Sequence, residues 1–497
     1  MRLLITILAL AALAPAAALA EDGVEGIDEI VVTAMRRPVR ADSLAFSIGT
    51  VEADAVAFKP LLTDAIDNVV GVALQQTTPG QGAAIVRGQR GSAVLHLVDG
   101  FRLNNAIFRS APTQYLALVP SGSVERVEVL KGTPASLYGS DAVGGVIQVV
   151  TRRPQFDSDA TQVRGEVRAA GNSAESMRRL GATVDAGNSS VFSSFSADWL
   201  DMGDRRVGGG ATIAPTGYES GSGRALFGWR PDDATTWSID LQYLEQPETP
   251  RIDELVPGFG QTEPSSSEFL FRPNRRSFVL ARYENTAGPF DATWTVSAGW
   301  QRIDDDRVSR DFGAPTRVIE QNRSDLLGVS ASIGHIDAGK SWVVGVEYYD
   351  DTVRSARQDQ DIVSGAVTNV QPRFPDDSSV RQLGAYANST WTLNPTHSIS
   401  GGLRVSLVTT GIAPTPLTAA GSLDNNDVSG DLGWAMNLGP EWHVTANAGF
   451  GFRAPNVFDV GTLGNRPGNR FNIPKTALES EHVLQGEIGV RYGGSAG

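Results

Sequence analysis

The stretch VERVEVLKGTPASLYGSDAVGGVIQVVTRRP (124–154) sets charged, hydroxylic and glycine residues close enough together to do chemistry. Gly132, Gly139, Gly144 and Gly145, with Gly122 upstream, invite comparison with a phosphate-binding loop. That reading fails, because a Walker loop needs GxxxxGK[ST] opening a helix. Here Gly144-Gly145 runs into Val146-Ile147-Gln148-Val149-Val150, a β-branched strand. Cysteine is absent from the 497 residues, which excludes disulfides, thiolate metal sites and cysteine nucleophiles. There are 5 histidines. His96 lies mid-strand in VLHLVD and is expected to be buried; His335, His397 and His443 fall beside short turns, and His482 ends a long polar segment. Acidic clusters at Asp304-Asp305-Asp306, Asp350-Asp351 and Asp424 to Asp427 lack EF-hand spacing, so solvated charge is expected there and no metal site is assigned. A net charge of −14 argues against nucleic acid as a partner.

The elements that must position these residues fall into two regions. Residues 1–20 read as a secretory leader: Arg2, an apolar core from Leu3 to Leu13, and Ala18-Leu19-Ala20 before Glu21. From about residue 160 the chain alternates apolar and polar side chains. In TTWSIDLQYLEQ, Trp237, Ile239, Leu241 and Tyr243 share one parity, while Ser238, Asp240 and Gln242 share the other. DATWTVSAGWQR, HSISGGLRVSL, VSGDLGWAMNLG and WHVTANAGFGFR repeat the pattern. Each such segment has one greasy and one wet face. Segments of about 9–11 residues suit a tilted strand crossing a bilayer, with end aromatics such as Trp442 and Phe452 in the interfacial girdles. Short turns (230–235, 285–291, 336–341, 393–398, 438–442) alternate with long polar loops (201–221, 247–274, 303–324, 351–379, 409–427, 454–482). This is the asymmetry of an outer-membrane barrel, with roughly 14 strands between 161 and 492.

Residues 41–154 do not alternate in this way. They read as a compact mixed α/β unit, with an amphipathic short helix over Leu61 to Val72 and strands separated by glycine turns. Here the chain resembles the TonB-dependent outer-membrane receptors. VRGQRGSAVLHLVDGFRLNN matches the family's plug at Arg87, Gly88, Leu97, Asp99, Gly100 and Asn104. The opening stretch resembles the plug's closing signature at Glu125, Arg126, Glu128, Gly132, Ser136, Tyr138, Gly139, Ala142, Gly144, Gly145 and Val146, departing at Thr133 and Gln148. Asp28, Glu29, Ile30, Val31, Val32, Thr33 and Ala34 resemble the TonB box, and Phe452, Arg453, Ala454, Pro455 and Asn456 the barrel motif FRAPN.

The resemblance implies a mainly β fold: a transmembrane antiparallel β-barrel over 155–497 with an N-terminal α/β plug inside it, and a periplasmic segment over 21–40. It implies no enzyme and no cofactor. The scarcity of histidine on the long loops also argues against an outer-membrane lipase or protease. It implies a receptor in the outer membrane of a Gram-negative bacterium, in contact with lipid, that takes up an iron chelate or haem. A cobalamin-type nutrient is the alternative, and a passive plugged porin or a non-functional truncated receptor the readings from another class. The TonB C-terminal domain would be the periplasmic partner, pairing with the box as an added strand, which Pro38 would stop from running into the plug. Glu125, Arg126 and Glu128 either pair with the lumen wall or among themselves. Phe108, Arg109 and Tyr115 are candidates to meet an anionic chelate; packing of Phe108 and Tyr115 within the plug is the favoured alternative. Family barrels have about 22 strands against about 14 here, and the chain ends RYGGSAG. The expectation is that C-terminal strands are missing, and that with unpaired edges this chain alone inserts poorly into lipid.

Overall fold

The computed structural model describes residues 31–40, 44–57, 59–109, 113, 115–337, 339–417, 419–439, 441–461, 463–466, 470–472 and 477–492. The leader and Asp28 to Ile30 lie outside these.

Fourteen strands follow one another in a single antiparallel path from residue 162 to residue 492: β1 (Gln162–Asn172), β2 (Met177–Gly187), β3 (Val191–Met202), β4 (Tyr218–Trp229), β5 (Thr235–Gln246), β6 (Ser266–Gly288), β7 (Ala292–Asp311), β8 (Thr316–Ile336), β9 (Lys340–Asp361), β10 (Ser379–Asn394), β11 (His397–Ile412), β12 (Gly421–Asn437), β13 (Trp442–Arg453) and β14 (Glu481–Tyr492). Two short strands, Thr249–Pro250 and Val367–Val370, pair off this path. Among the described residues β1 and β14 do not pair with each other.

The parity expected from sequence sorts the faces. Trp237, Ile239, Leu241 and Tyr243 are exposed on the outer face, as are Leu403, Val405, Leu407, Val428 and Leu432. Asp240, Gln242, Arg404 and Ser406 are buried on the inner face. A bilayer takes the first set as solvent, and the second must be satisfied by the lumen's contents. One girdle assignment is corrected: Phe452 is fully buried, packed with Ala106, Ile107 and Phe374 rather than facing lipid.

The long-loop expectation is corrected too. β6 to β9 run for 23, 20, 21 and 22 residues, well beyond what a bilayer requires. Much of 303–324 and 351–361 is therefore strand. Cross-strand charge pairs sustain the ladder there: Asp304 bridges Arg275 at 2.8 Å and Arg323 at 2.8 Å, and Arg302 meets Asp325 at 2.7 Å. Read by composition alone, such residues look like solvated loop. The first acidic cluster is corrected with them, since Asp304 and Asp305 are buried ion-pair partners, and in the second Asp351 is buried while Asp350 meets Arg381 at the surface; Asp424 of the third is exposed.

The small domain fills the lumen. Its central sheet runs in the order Ser47–Glu52, Val124–Lys131, Gly145–Thr151, Val94–Val98, Phe101–Arg102, with Gly145–Thr151 and Val94–Val98 parallel. A smaller sheet holds Val72–Gln75, Ala83–Val86 and Gln89–Arg90. The expected helix covers only Leu62–Ile66. The main core is shared with the wall, as Phe101, Phe108 and Tyr115 pack in one cluster with Phe278, Leu280, Ile303, Leu326 and Tyr349.

Candidate functional site

Most of the glycine-bearing motifs turn out to be turn and packing chemistry. Arg87-Gly88 and Asp99-Gly100 each have both residues at positive φ (51° and 80°; 49° and 83°) and each closes a two-residue hairpin. Such turns match the twist of the strands they join. The Asp99 carboxylate then accepts from the Thr151 backbone N–H at 2.9 Å and its hydroxyl at 2.6 Å, tying the hairpin to the neighbouring strand. At Gly145 a Cβ would stand 2.5 Å from the Leu130 carbonyl oxygen, so only glycine lets these strands approach. Gly139 and Gly144 likewise leave no free space for a side chain, and Gly132 sits at a φ of 110°.

Glu125, Arg126 and Glu128 lie within the strand Val124–Lys131, not at strand ends. They pair among themselves: Arg126 meets Glu125 at 2.8 Å and Glu128 at 2.8 Å. Glu128 is fully buried, and what it grips comes from the N-terminal segment. Its carboxylate accepts from the Thr33 N–H at 2.8 Å, the Ala34 N–H at 2.6 Å and the Thr33 hydroxyl at 3.2 Å. The Tyr138 hydroxyl donates to the Ala34 carbonyl at 2.7 Å, and the Arg36 guanidinium lies 4.7 Å from the Tyr138 ring centre. Burial pushes the Tyr138 phenol up, so it stays a donor. Two motif residues separated in sequence thus converge on the end of the box.

The next residues fasten this segment to the wall. Arg36 pairs with the buried Glu347 of β9 at 2.6 Å, and Glu347 pairs in turn with Arg404 of β11 at 2.7 Å. Arg37 donates to Asn388 and Thr390 at 3.0 Å each and to Ser341 at 3.1 Å. Val31–Val32 pairs with Val39–Arg40 in a hairpin that turns at Thr33 to Arg37. One expectation is corrected here: Pro38 does not end the strand, because the turn comes before it. Residues 33–37 are clasped inside the lumen. Arg36, Arg37, Glu347 and Arg404 are the residues that sequence reasoning missed. The signal available was a carboxylate at lumen parity inside the apolar run of WVVGVEYY.

The outer apex is a separate constellation. Phe108 and Tyr115 are buried against each other, ring centres 5.1 Å apart, so the packing alternative holds for both. The Tyr115 hydroxyl donates to Asp305 at 3.1 Å, and burial reinforced by that carboxylate pushes its acidity down. Arg109 is buried with its Nε lacking a hydrogen-bond partner; burial and the neighbouring Arg307 push its pKa down to about 10. His96 bonds Asn104 at 3.1 Å and stacks on Phe108, with burial lowering its pKa to about 4. FRAPN serves as the apex fastener. Arg453 bridges Asp459 at 2.6 Å and Glu481 at 2.8 Å and reaches Ser92 at 3.1 Å; the Ala454 N–H donates to Ser140 at 3.0 Å, and Asn456 donates to the Phe108 carbonyl at 2.7 Å. Arg87, apart from both constellations, pairs with Glu487 of β14.

Comparison with known proteins bears on this arrangement. Residues 45–146 match the family described as TonB-dependent Receptor Plug Domain, and residues 166–497 the family described as TonB dependent receptor-like, beta-barrel. The vitamin B12 transporter BtuB of Photobacterium profundum is 25% identical over 452 residues, covering 87% of this chain and 63% of that protein. The chain therefore spans under two thirds of that relative's length. Among solved structures, the copper transporter OprC superposes with a TM-score of 0.76 at 17% identity, over 90% of this chain and 69% of the other. The unliganded ferric citrate transporter FecA gives 0.72 at 15%, over 91% and 68%.

Proposed function

Since the chain belongs to the TonB-dependent receptors, we propose that it binds a scarce nutrient at the cell surface and admits it when TonB pulls on residues 28–34. Membership of this family of transporters supports a location in the outer membrane of a Gram-negative bacterium and a transport role. The observation that carries the reading is the grip of Glu128 and Tyr138 on Thr33 and Ala34. A strand paired with TonB at Ile30 to Val32 would stand directly next to that grip. Tension would reach the central sheet of the plug through Glu128 and the wall through Arg36 and Glu347. An outer membrane has no nucleotide supply of its own, so a plugged barrel needs work delivered in this way.

The cargo we infer is an iron chelate of the ferric siderophore kind. The relatives' own ligands, by name, include vitamin B12, copper and ferric citrate. Buried Arg109 at the apex favours an anion over a neutral corrinoid, and no histidine among the described outer segments stands free for haem, His482 being held by Asp427 at 2.7 Å. The test is growth of a strain carrying this receptor as its only route for iron, with ferric chelates or haem supplied in turn, beside a cobalamin auxotroph carrying it as the only route for cobalamin. Growth on a ferric chelate that is lost when residues 28–34 are deleted supports the reading. Growth indifferent to the deletion points to a passive pore.

A further inference from the structure

Between β6 to β9 and the plug lies a cavity of about 540 Å³. On the barrel side it is lined by Thr293, Thr295 and Ser297 of β7 and Ser330 and Ser332 of β8. On the other side stand Thr33, Arg36, Arg37 and Pro38 of the clasped segment. It reaches Gly334 and Ile336 at the short-turn end of the wall, and it continues past Arg153 and Arg282 into a smaller recess of about 130 Å³.

A single aromatic layer caps it. The Phe101 ring meets Phe278 edge-on at 5.4 Å and Tyr349 at 5.5 Å. Gly299 and Gly328 make room for it, since a Cβ at either would stand 2.7 Å from the ring. Beyond the layer Tyr349 also lines a second pocket, of only about 20 Å³, with Arg102, Asn104, Asp141 and Asp351. Tyr349 lines both cavities and Phe101 packs on its ring, so this pair stands between the roomy inner cavity and the small outer one.

We propose that this cavity is the inner half of the cargo's path through the lumen, with Phe101 and Tyr349 as its partition, and that the path suits a small hydrophilic anion. The inference rests on the transport reading, because withdrawal of the clasped segment is what would widen the cavity. The volume falls within the roughly 300–1,000 Å³ of small-molecule sites. Its lining carries hydroxyls and more guanidinium than carboxylate groups, Arg36, Arg37, Arg126, Arg153 and Arg282 against Asp99, Glu125 and Glu284, and Arg282 donates to the Asp99 carbonyl and the Ser297 hydroxyl. An excess of guanidinium donors favours an anionic solute.

The absence of native cysteine makes single thiols clean reporters. Porin-deficient cells bearing Ser330→Cys are treated from outside with membrane-impermeant methanethiosulfonates carrying a sulfonate or a trimethylammonium group. The thiol is expected to be protected while the partition is intact, and to react at least tenfold faster once Phe101→Ala and Tyr349→Ala are added. The sulfonate should react faster than the cation relative to free thiol, a preference lost with Arg153→Ser. Thr183→Cys, buried on the opposite wall, should stay protected throughout. If it does not, the plug has left the lumen, and the milder Phe101→Leu decides instead. A Ser330→Cys thiol that reacts equally with the partition intact, or stays protected after its removal, overturns the route; a preference for the cation overturns the charge of the cargo. Dependence of uptake on residues 28–34 is unaffected by either failure, so the two readings fall separately.

Discussion

Replacing Glu128 by Gln should release the clasp with little change of shape. The carboxylate holds two backbone N–H groups, at 2.8 and 2.6 Å, and the Arg126 guanidinium at 2.8 Å, all without solvent access of its own. A hydrogen bond to a buried charge contributes about 1.5–3 kcal/mol, and contributions within one network do not add. An amide keeps one acceptor oxygen but turns an NH2 group towards the same donors. The net loss is about 3 kcal/mol. At about 1.4 kcal/mol per decade, the population with residues 33–37 detached rises roughly a hundredfold. Met35, 1% exposed in the clasped state, reports it as Met35→Cys. In detergent-held protein the thiol's reaction rate with a small maleimide should rise about a hundredfold in Glu128→Gln. Glu125→Gln, removing a half-exposed partner of Arg126, should change it by less than about fivefold. A Glu128→Gln rate within threefold of the parent would refute the claim that this carboxylate holds the segment.

Glu347→Gln removes the carboxylate shared by Arg36 and Arg404. Breaking a buried pair costs about 3–5 kcal/mol, so the same thiol assay should show release, and the coupling with Arg36→Met should be strongly non-additive. His96 gives a pH dependence. Its folded pKa of about 4 lies below the ordinary 6.5, so between those values only the unfolded chain takes up the proton. Plug stability should then fall as pH drops from 6.5 to 4, by on the order of 3 kcal/mol, as read from urea unfolding. His96→Asn should flatten that slope.

How much could be read in advance follows from which interactions are local. Alternation along a strand is a property of neighbouring residues, so the outer face of β5 was legible from Trp237 to Tyr243. The Asp99-Gly100 turn was equally legible, since its chemistry is local. Strands β6 to β9 were cut short because Asp304, Arg275 and Arg323 lie far apart in sequence and look solvated until the register sets them opposite one another. The clasp was missed for the same reason. Thr33 and Glu128 are 95 residues apart, and Arg36 and Glu347 are 311 apart. No period or spacing encodes such contacts. Glu128 was singled out by motif, but its partner in the N-terminal segment emerged only once both stood in the lumen.

The central proposal is that TonB pairs with residues 28–34 and that this segment is mechanically tied to the plug through Thr33 and Ala34. It is tested most directly by retention of the purified TonB C-terminal domain on the detergent-held protein, comparing the parent with Ile30→Pro. Proline removes a backbone donor from any added strand and fixes its φ. The account predicts retention by the parent and its loss in Ile30→Pro, with the Met35→Cys thiol of the parent becoming more reactive when the domain is bound. Equal retention by both proteins, or binding that leaves that thiol as protected as before, would contradict it.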